Sequence, residues 1–256
     1  MSTVLAYDNG DYKILMTDTK ESNTQCTCVQ KMHYIENLGF IAGIGIGNLV
    51  QNVFIDFSAN QNLEDLCNLC GAKYNSIYNK IPCENISEQQ KNATQALLNV
   101  SSVTTITNQG VYVMQGGKPT LCNSIKGKNK IIIQKPYGLL DNVLKELEQM
   151  EAKNQKREIQ QALLEMLDGF KIVSNSSTTV SNICCIGIIG FKKKPFYIEG
   201  EIEYLIDTIK STSISKIKNQ FNQCKNKLIN WNSVNASEEF NNKLEIYPVN
   251  DTYNQN

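Results

Sequence analysis

Ser2 and Asp18 are the first residues whose types and positions could support a chemical reaction. The chain begins Met-Ser-Thr, and removal of Met1 would leave Ser2 with a hydroxyl nucleophile and a free α-amino group on the same residue. A free α-amino group has a pKa of about 7.7 to 8.0, so it can take the hydroxyl proton near neutral pH. Asp18 ends the second apolar run and could lie behind this nucleophile. Either this arrangement is a coincidence, or Ser2 is an N-terminal nucleophile whose own α-amine is the base.

Two short strands are predicted to hold these residues. Thr3 to Tyr7 and Lys13 to Thr17 are apolar runs, and Asn9-Gly10 lies in the polar segment between them. Asn-Gly between two apolar runs is a strong β-hairpin signal. A second pair of runs, Cys28 to Ile35 and Gly39 to Ile44, follows. The sequence therefore opens with two predicted hairpins.

Helical and extended segments alternate through the rest of the chain. The first helix is predicted from Asn48, as its N-cap, to Ser58, and residues 61–100 have the pattern of a polar insertion in two helical pieces. The small residues from Ser174 to Thr179 predict a loop before a late strand. The other predicted strands are 103–114, 129–134, 183–189 and 195–199, and the other helical regions are 139–167 and 202–231. Hairpins with helices layered on them indicate an α+β protein with antiparallel sheets.

The composition argues against some classes of partner. The 256 residues are enough for one full core and an appendage, and 25 basic residues balance 25 acidic ones. A formal net charge of zero does not favour nucleic acid or an anionic membrane. No apolar run approaches the ~20 residues of a membrane helix, and Met1 to Gly10 lacks the features of a signal peptide. We expect a soluble, cytoplasmic protein that binds neither nucleic acid nor membrane.

The nine cysteines do not have a strong metal-site pattern, and their odd number argues against a fully paired disulfide framework. Cys67 and Cys70 have CxxC spacing, but with Leu63 they also fall at i, i+4 and i+7 of an amphipathic helix. Core-facing positions are favoured for them, and equally for Cys184 and Cys185 in the apolar run ICCIGII. We expect no metal and no cofactor.

His33 is the only histidine, and a structural or exposed position on its strand is favoured over catalysis. A Ser-His-Asp triad would need a G-x-S-x-G elbow, which the chain lacks. No P-loop, dinucleotide fingerprint or HExxH motif is present either. A Cys-His pair is possible in principle, but nothing in the spacing selects one cysteine.

From Ser2 to Lys20 the sequence resembles, without a gap, the start of mature proteasome β-type subunits: nucleophile, strand, polar turn, second strand and aspartate. VQKMHYIENLGFIAG is similar to the next family segment, in which a lysine opens a strand and Ala-Gly ends its partner. ICCIGIIGFKKKPFYIEGE resembles a later hairpin of the family, while the middle of the chain is not matched. The run SNSSTTVS resembles the methanogen branch of proteasome-like, connectase-like transpeptidases.

This resemblance implies the fold of N-terminal nucleophile (Ntn) hydrolases, a four-layer αββα sandwich of antiparallel sheets. The Ntn-hydrolase-like domain would be residues 1–201, with the helical insertion at 61–100 and a helical C-terminal extension at 202–256. It also implies cleavage of a peptide or protein amide bond through an acyl-enzyme ester. The acyl group would pass to water or to another amine.

By the same resemblance, Ser2 is the nucleophile, Asp18 the aspartate, Lys31 the lysine and the backbone N–H of Gly43 the oxyanion donor. A cationic Lys31 would favour the neutral, proton-accepting form of the α-amine, while Asp18 would hold Lys31 and compensate its charge. Gly45 is the alternative oxyanion donor, because the family hairpin is longer than this one.

Two features depart from the family pattern. The nucleophile is Ser rather than the commoner Thr, which keeps the hydroxyl but lacks the methyl that restricts χ1. Near the late strand the family has an Asp followed three residues later by a Ser, whereas Ser174 to Ser181 contains no aspartate. Asn175 and Thr178 are the candidates to take those two roles by hydrogen bonding.

The sequence leaves two functions open. The first is an N-terminal-serine amidohydrolase or transpeptidase, and the second is a catalytically inactive proteasome-like protein that binds a partner or forms rings. A homo-oligomer is compatible with both. Intact mass discriminates between them, because retained Met1 or an acetylated Ser2 would remove the base.

Overall fold

The computed structural model describes residues 2–19, 31–57, 62–115, 122–124, 129–136, 138–191 and 194–222. In these residues ten strands form two sheets, and six α-helices cover them. The strands are β1 Val4–Asp8, β2 Lys13–Asp18, β3 Met32–Ile35, β4 Gly39–Ile44, β5 Ser102–Thr107, β6 Gly110–Gln115, β7 Cys122–Ser124, β8 Ile131–Gln134, β9 Ile183–Ile189 and β10 Phe196–Glu201. The helices are α1 Gly47–Asp56, α2 Leu63–Lys80, α3 Glu88–Val100, α4 Asp141–Ala152, α5 Ile159–Ser176 and α6 Ile202–Ser211.

Both sheets are antiparallel. The first has the order β10-β9-β2-β1-β8, and the second has the order β3-β4-β5-β6-β7. Strand β1 is paired on both sides, with Val4 opposite Thr17 of β2 and Gln134 of β8. The hairpin predicted at Asn9-Gly10 is confirmed, and Gly10 adopts φ +92°, a conformation that favours glycine.

Alternate residues of the strands face different layers. Leu5 and Tyr7 of β1 pack against α4, α5 and α6, whereas Val4 and Ala6 pack between the two sheets. Helices α1 and α2 cover the outer face of the second sheet, where Phe54 and Leu66 contribute to the same core as Ile41. The order is helix, sheet, sheet, helix. The predicted four-layer αββα sandwich is therefore confirmed.

Two predicted segments differ from the observed elements. The region 103–114 is a hairpin rather than one strand, because it turns between Thr107 and Gly110. Helix α5 runs through Ser174, Asn175 and Ser176, so the loop predicted from residue 174 begins too early. The hydroxyls of the two serines donate to backbone carbonyls of the preceding turn, which lets these small polar residues continue a helix. Residues 28–30, 58, 61 and 223–231 of the predicted elements, and residues 232–256 of the predicted C-terminal extension, lie outside the described residues.

Helix α1 confirms the predicted apolar face but not the predicted cap. Val50, Phe54 and Phe57 are all buried. The N-cap is Ile46 rather than Asn48, and no side chain caps this end. The backbone N–H of Ile46 donates to Ser101 Oγ at 2.9 Å, so the α3–β5 junction holds the start of α1 in place of an Asn48 cap.

Helices α2 and α3, in the polar segment 61–100, contribute to the hydrophobic core. Leu66 and Cys67 of α2 are buried against α1, and Leu97 and Leu98 of α3 pack with Ile46 beneath the start of that helix. The polar composition belongs to the outer faces of α2 and α3, while a narrow apolar stripe faces inward. Whether this segment is an insertion relative to related chains stays a prediction.

Helix α6 begins directly after the predicted domain boundary at residue 201, but it packs into the main core and does not form a separate domain. Ile202, Leu205, Ile206 and Ile209 are buried in the same core as α5 and the first sheet. A C-terminal extension beginning at residue 202 thus stays a prediction about sequence organisation, and its first helix belongs to the sandwich.

The cysteines that the sequence placed in the core are buried or half-buried. Cys184 and Cys185 are fully buried, and Cys67 is buried and disulfide-bonded. Cys70 is half-buried, and its burial raises the pKa of the thiol to about 12. Among the described residues, no group of three His, Cys, Asp or Glu side chains could hold a metal ion. No helix in the same residues is long and apolar enough to cross a membrane.

Arg157 is a buried cation in the segment between α4 and α5. Its Nε donates to Glu165 Oε2 at 2.6 Å, and its Nη1 donates to the backbone oxygens of Gln155 and Asn129 at 2.8 and 3.0 Å. The guanidinium also lies 5.5 Å from the centre of the Tyr7 ring. Arg157 therefore connects the α4–α5 segment to strand β1.

Candidate active site

The candidate catalytic residues meet at one end of the sandwich. Ser2 precedes β1, Asp18 ends β2, and Lys31 precedes β3. Because β1 and β2 are antiparallel, the start of one lies beside the end of the other. The two hairpins predicted from the sequence therefore carry these three residues to a common point.

Lys31 bridges the other two residues. Its Nζ lies 2.6 Å from Ser2 Oγ and 2.9 Å from Asp18 Oδ2. The Asp18 side chain is fully buried, the Lys31 side chain is 14% exposed, and Ser2 is 8% exposed. A buried carboxylate is costly unless it is paired, so the Lys31 ammonium compensates the charge of Asp18. The structure thus brings together all three residues of the predicted trio.

Thr3 fixes the backbone next to Ser2. Its N–H donates to Asp18 Oδ1 at 3.4 Å, and its hydroxyl donates to the backbone oxygen of Gln134 at 2.8 Å. Its own carbonyl accepts a hydrogen bond from the Thr17 hydroxyl at 3.1 Å. Three contacts on different sides hold this fully buried residue, so the position of Ser2 is set by β2 and β8 together.

Gly43 and Gly45 occupy different positions in the β4–α1 connection. Met32 pairs with Ala42, and extending this register by one pair places Gly43 beside Lys31. A Cβ on Gly43 would approach Val50 Cγ1 to 2.5 Å, so the glycine also lets α1 pack closely on β4. Gly45 has φ +105° and turns the chain into the helix. The register favours Gly43 as the candidate oxyanion donor, which stays a prediction.

Asn175 and Thr178 are less well placed than the trio. Asn175 is exposed in the last turn of α5, and Thr178 is exposed in the turn that follows. Ser181 Oγ accepts from the backbone N–H of Thr19, the residue after Asp18, at 3.2 Å. Ser181 precedes β9, which pairs with β2, and this strand register is the signal that could have identified it.

Ser102 and Gln134 were also missed by the sequence reasoning. Ser102 Oγ donates to Gln134 Oε1 at 2.6 Å, which joins β5 of the second sheet to β8 of the first. The backbone oxygen of Gln134 accepts from Thr3 at the same end. This bond between the sheets depends on tertiary packing, and no local sequence pattern indicates it.

His33 lies on β3 but faces the helical layer, with its ring 4.5 Å from that of Phe54. It is 3% exposed, and burial lowers its pKa from 6.5 to about 4. The structural role that the sequence favoured for this residue therefore fits its position.

The pKa of His33 predicts a loss of stability in acid. Between pH 6.5 and about 4 the unfolded chain binds a proton at this imidazole that the folded chain does not, so the free energy of unfolding falls as the pH falls. The total loss from this residue is about 3 kcal/mol, and its contribution is constant above this window. Urea denaturation across these pH values should show a shallower pH dependence for His33→Gln than for the parent chain. Parallel curves would contradict the prediction.

Comparison with known proteins gives the fold but no sequence family. No protein-family model and no curated protein matches this sequence. The structure is similar to Anbu (Gly-1 mutant) from Hyphomicrobium sp. strain MC1, with a TM-score of 0.53 and 12% identity over 86% of this chain and 99% of that one. It is also similar to Anbu, an ancestral beta-subunit, from Yersinia bercovieri, with a TM-score of 0.54 and 11% identity over 82% of this chain and 92% of that one.

These likenesses extend over most of both chains, but identities this low concern the fold alone. They agree with the two antiparallel sheets and the two helical layers described above. The chain has the fold of the proteasome-like Ntn hydrolases.

Proposed function

We propose that this chain is an N-terminal-serine amidohydrolase or transpeptidase that acts on a peptide or protein amide bond through an acyl-enzyme ester. The observation that carries the proposal is the position of Lys31 Nζ between Ser2 Oγ and Asp18 Oδ2. A lysine that only neutralised the buried Asp18 carboxylate would not have to contact the Ser2 hydroxyl as well. Removal of Met1 is part of the proposal, since it creates the base.

The reaction follows from these groups. Ser2 Oγ attacks the carbonyl carbon of the substrate amide, and its proton passes to the free α-amine of the same residue. The cationic Lys31 keeps that amine in its neutral form before the attack, and the backbone N–H of Gly43 stabilises the oxyanion. The C–N bond then breaks as the α-ammonium returns its proton to the leaving amine. Attack on the ester by water or by a second amine releases the acyl group and restores Ser2.

Mass spectrometry tests this proposal in two steps. The intact chain should be lighter by one methionine residue and should carry no acetyl group. A peptide β-lactone, which opens on a hydroxyl and adds its whole mass, should then modify Ser2. Ser2→Ala should not be modified, whereas Ser211→Ala, which removes a hydroxyl on the exposed end of α6, should react like the parent. Ser2→Cys should remain reactive, because a thiol is the stronger nucleophile.

The acceptor of the acyl group needs a second measurement. A peptide substrate incubated with a competing amine-bearing peptide gives a free carboxylate if water is the acceptor and a new amide if the amine is. Either product supports the proposed acyl-enzyme.

The noncatalytic function becomes the better explanation if Met1 is retained, if Ser2 is acetylated, or if the probe does not react with a folded chain. The chain would then be a proteasome-like binding or ring-forming protein. A homo-oligomer is part of both proposals.

A further inference from the structure

Strand β10 is at the edge of the first sheet, and residues 219–221 lie along its outer side. The backbone N–H of Tyr197 donates to Asn219 Oδ1 at 3.0 Å, and its carbonyl accepts from the backbone N–H of Gln220 at 2.7 Å. The backbone N–H of Glu199 donates to Gln220 Oε1 at 2.9 Å. Two side-chain oxygens and one backbone N–H thus take the positions that an adjacent strand would occupy.

Phe221 closes the gap between the two sheets on the same flank. Its ring makes edge contacts with Tyr34 of β3 and Phe40 of β4, at centroid distances of 4.7 and 6.2 Å. Strand β3 is the edge of the second sheet, so Phe221 packs where both sheets end side by side. Asn219 fixes the segment, because its Oδ1 also accepts from the N–H of Phe221 and its Nδ2 donates to the Pro195 carbonyl.

We propose that residues 219–221 are an edge cap, which keeps β10 from pairing with a second copy of this chain. An open edge strand offers a row of backbone donors and acceptors and is a template for association with another chain. The edge cap hydrogen-bonds to backbone groups of β10 without forming a paired strand, and Phe221 covers the apolar surface between the sheets. A side-chain oxygen also meets a backbone donor on β8, the opposite edge strand of the first sheet. There the N–H of Ile133 donates to Glu151 Oε1 at 2.7 Å.

The cap variant is the full chain with Asn219→Ala, Gln220→Ala and Phe221→Ala. The control is Lys218→Ala with Asn222→Ala, which changes the two exposed neighbours in the same segment. Backbone hydrogen exchange should be about tenfold or more faster at Tyr197 and Glu199 in the cap variant, with little change at Ile186 in the interior of the sheet. Sedimentation at rising concentration should show the cap variant, but not the control, in species larger than those of the parent.

Addition of the synthetic peptide Lys-Ile-Lys-Asn-Gln-Phe-Asn, the sequence of residues 216–222, should reduce the association. If the triple variant does not fold, the single change Gln220→Ala still tests the idea, because it removes the acceptor of the Glu199 N–H and keeps Phe221. Parent-like exchange at Tyr197 and Glu199, or parent-like association in a folded cap variant, would overturn the proposal.

Discussion

Lys31→Met should lower the rate at which Ser2 reacts with a peptide β-lactone by about 100- to 10,000-fold, the range that general acid–base groups contribute. Methionine has similar length but no charge, so the change removes the ammonium that lies 2.6 Å from Ser2 Oγ and 2.9 Å from Asp18 Oδ2. Two effects add together. The α-amine of Ser2 loses the cation that favours its neutral form, and the buried Asp18 carboxylate loses its partner.

The pH dependence separates this catalytic role from a loss of structure. Without the cation, the remaining reactivity should require a higher pH, because the α-amine then holds its proton more tightly. Lys73→Met makes the same chemical change in an ion pair with Asp56 between α2 and α1, and it should leave both the rate and the pH profile unchanged. The proposed mechanism is wrong if folded Lys31→Met reacts as fast as the parent chain.

Arg157→Met should reduce the free energy of unfolding by about 2 to 4 kcal/mol, because it leaves two backbone carbonyls without their donor and breaks the ion pair with Glu165, whose side chain is 28% exposed. Arg157 is 2% exposed, and its guanidinium holds Glu165 and two backbone carbonyls. The variant leaves those acceptors without their donor and removes the cation from the Tyr7 ring. Urea denaturation at neutral pH gives the difference directly.

The neighbouring residue supplies a matched control. Lys156 forms an ion pair with Asp11, but their side chains are 62% and 73% exposed. Solvent screens such a pair, so Lys156→Met should leave the free energy of unfolding nearly unchanged. If Arg157→Met costs no more than Lys156→Met, the network around Arg157 does not support the fold as described.

Local patterns predicted the part of the site that depends on local structure. The hairpin at Asn9-Gly10 fixes the relation of β1 to β2, and with it the relation of Ser2 to Asp18. Continuous apolar runs predicted the strands, because each strand here is covered by a packed layer on both faces. Lys31 was placed by resemblance to the family, and the structure supports its position next to Ser2.

Several failures involve polar side chains whose hydrogen-bond partners the composition does not specify. Ser174 and Ser176 indicate a loop by composition, but their hydroxyls bond to the helix itself and extend α5. Asn48 has the type of an N-cap, yet Ser101 holds the start of α1 through the N–H of Ile46. A sequence shows which residues can form such bonds but not which partner the fold brings near. The same limit explains why Ser181 was not chosen.

The burial of the N-terminal end of β1 has a consequence for the order of events during synthesis. Ser2 is 8% exposed, and β1 is complete only when it pairs with β8, whose last residue, Gln134, lies far along the chain. A ribosome must therefore make the chain as far as Gln134 before β1 is paired on both sides. In the proposed function, removal of Met1 is easier in that interval, because Ser2 becomes buried once β1 has docked. Maturation of the nucleophile would then be a competition between processing and folding, and conditions that speed folding would favour chains that retain Met1.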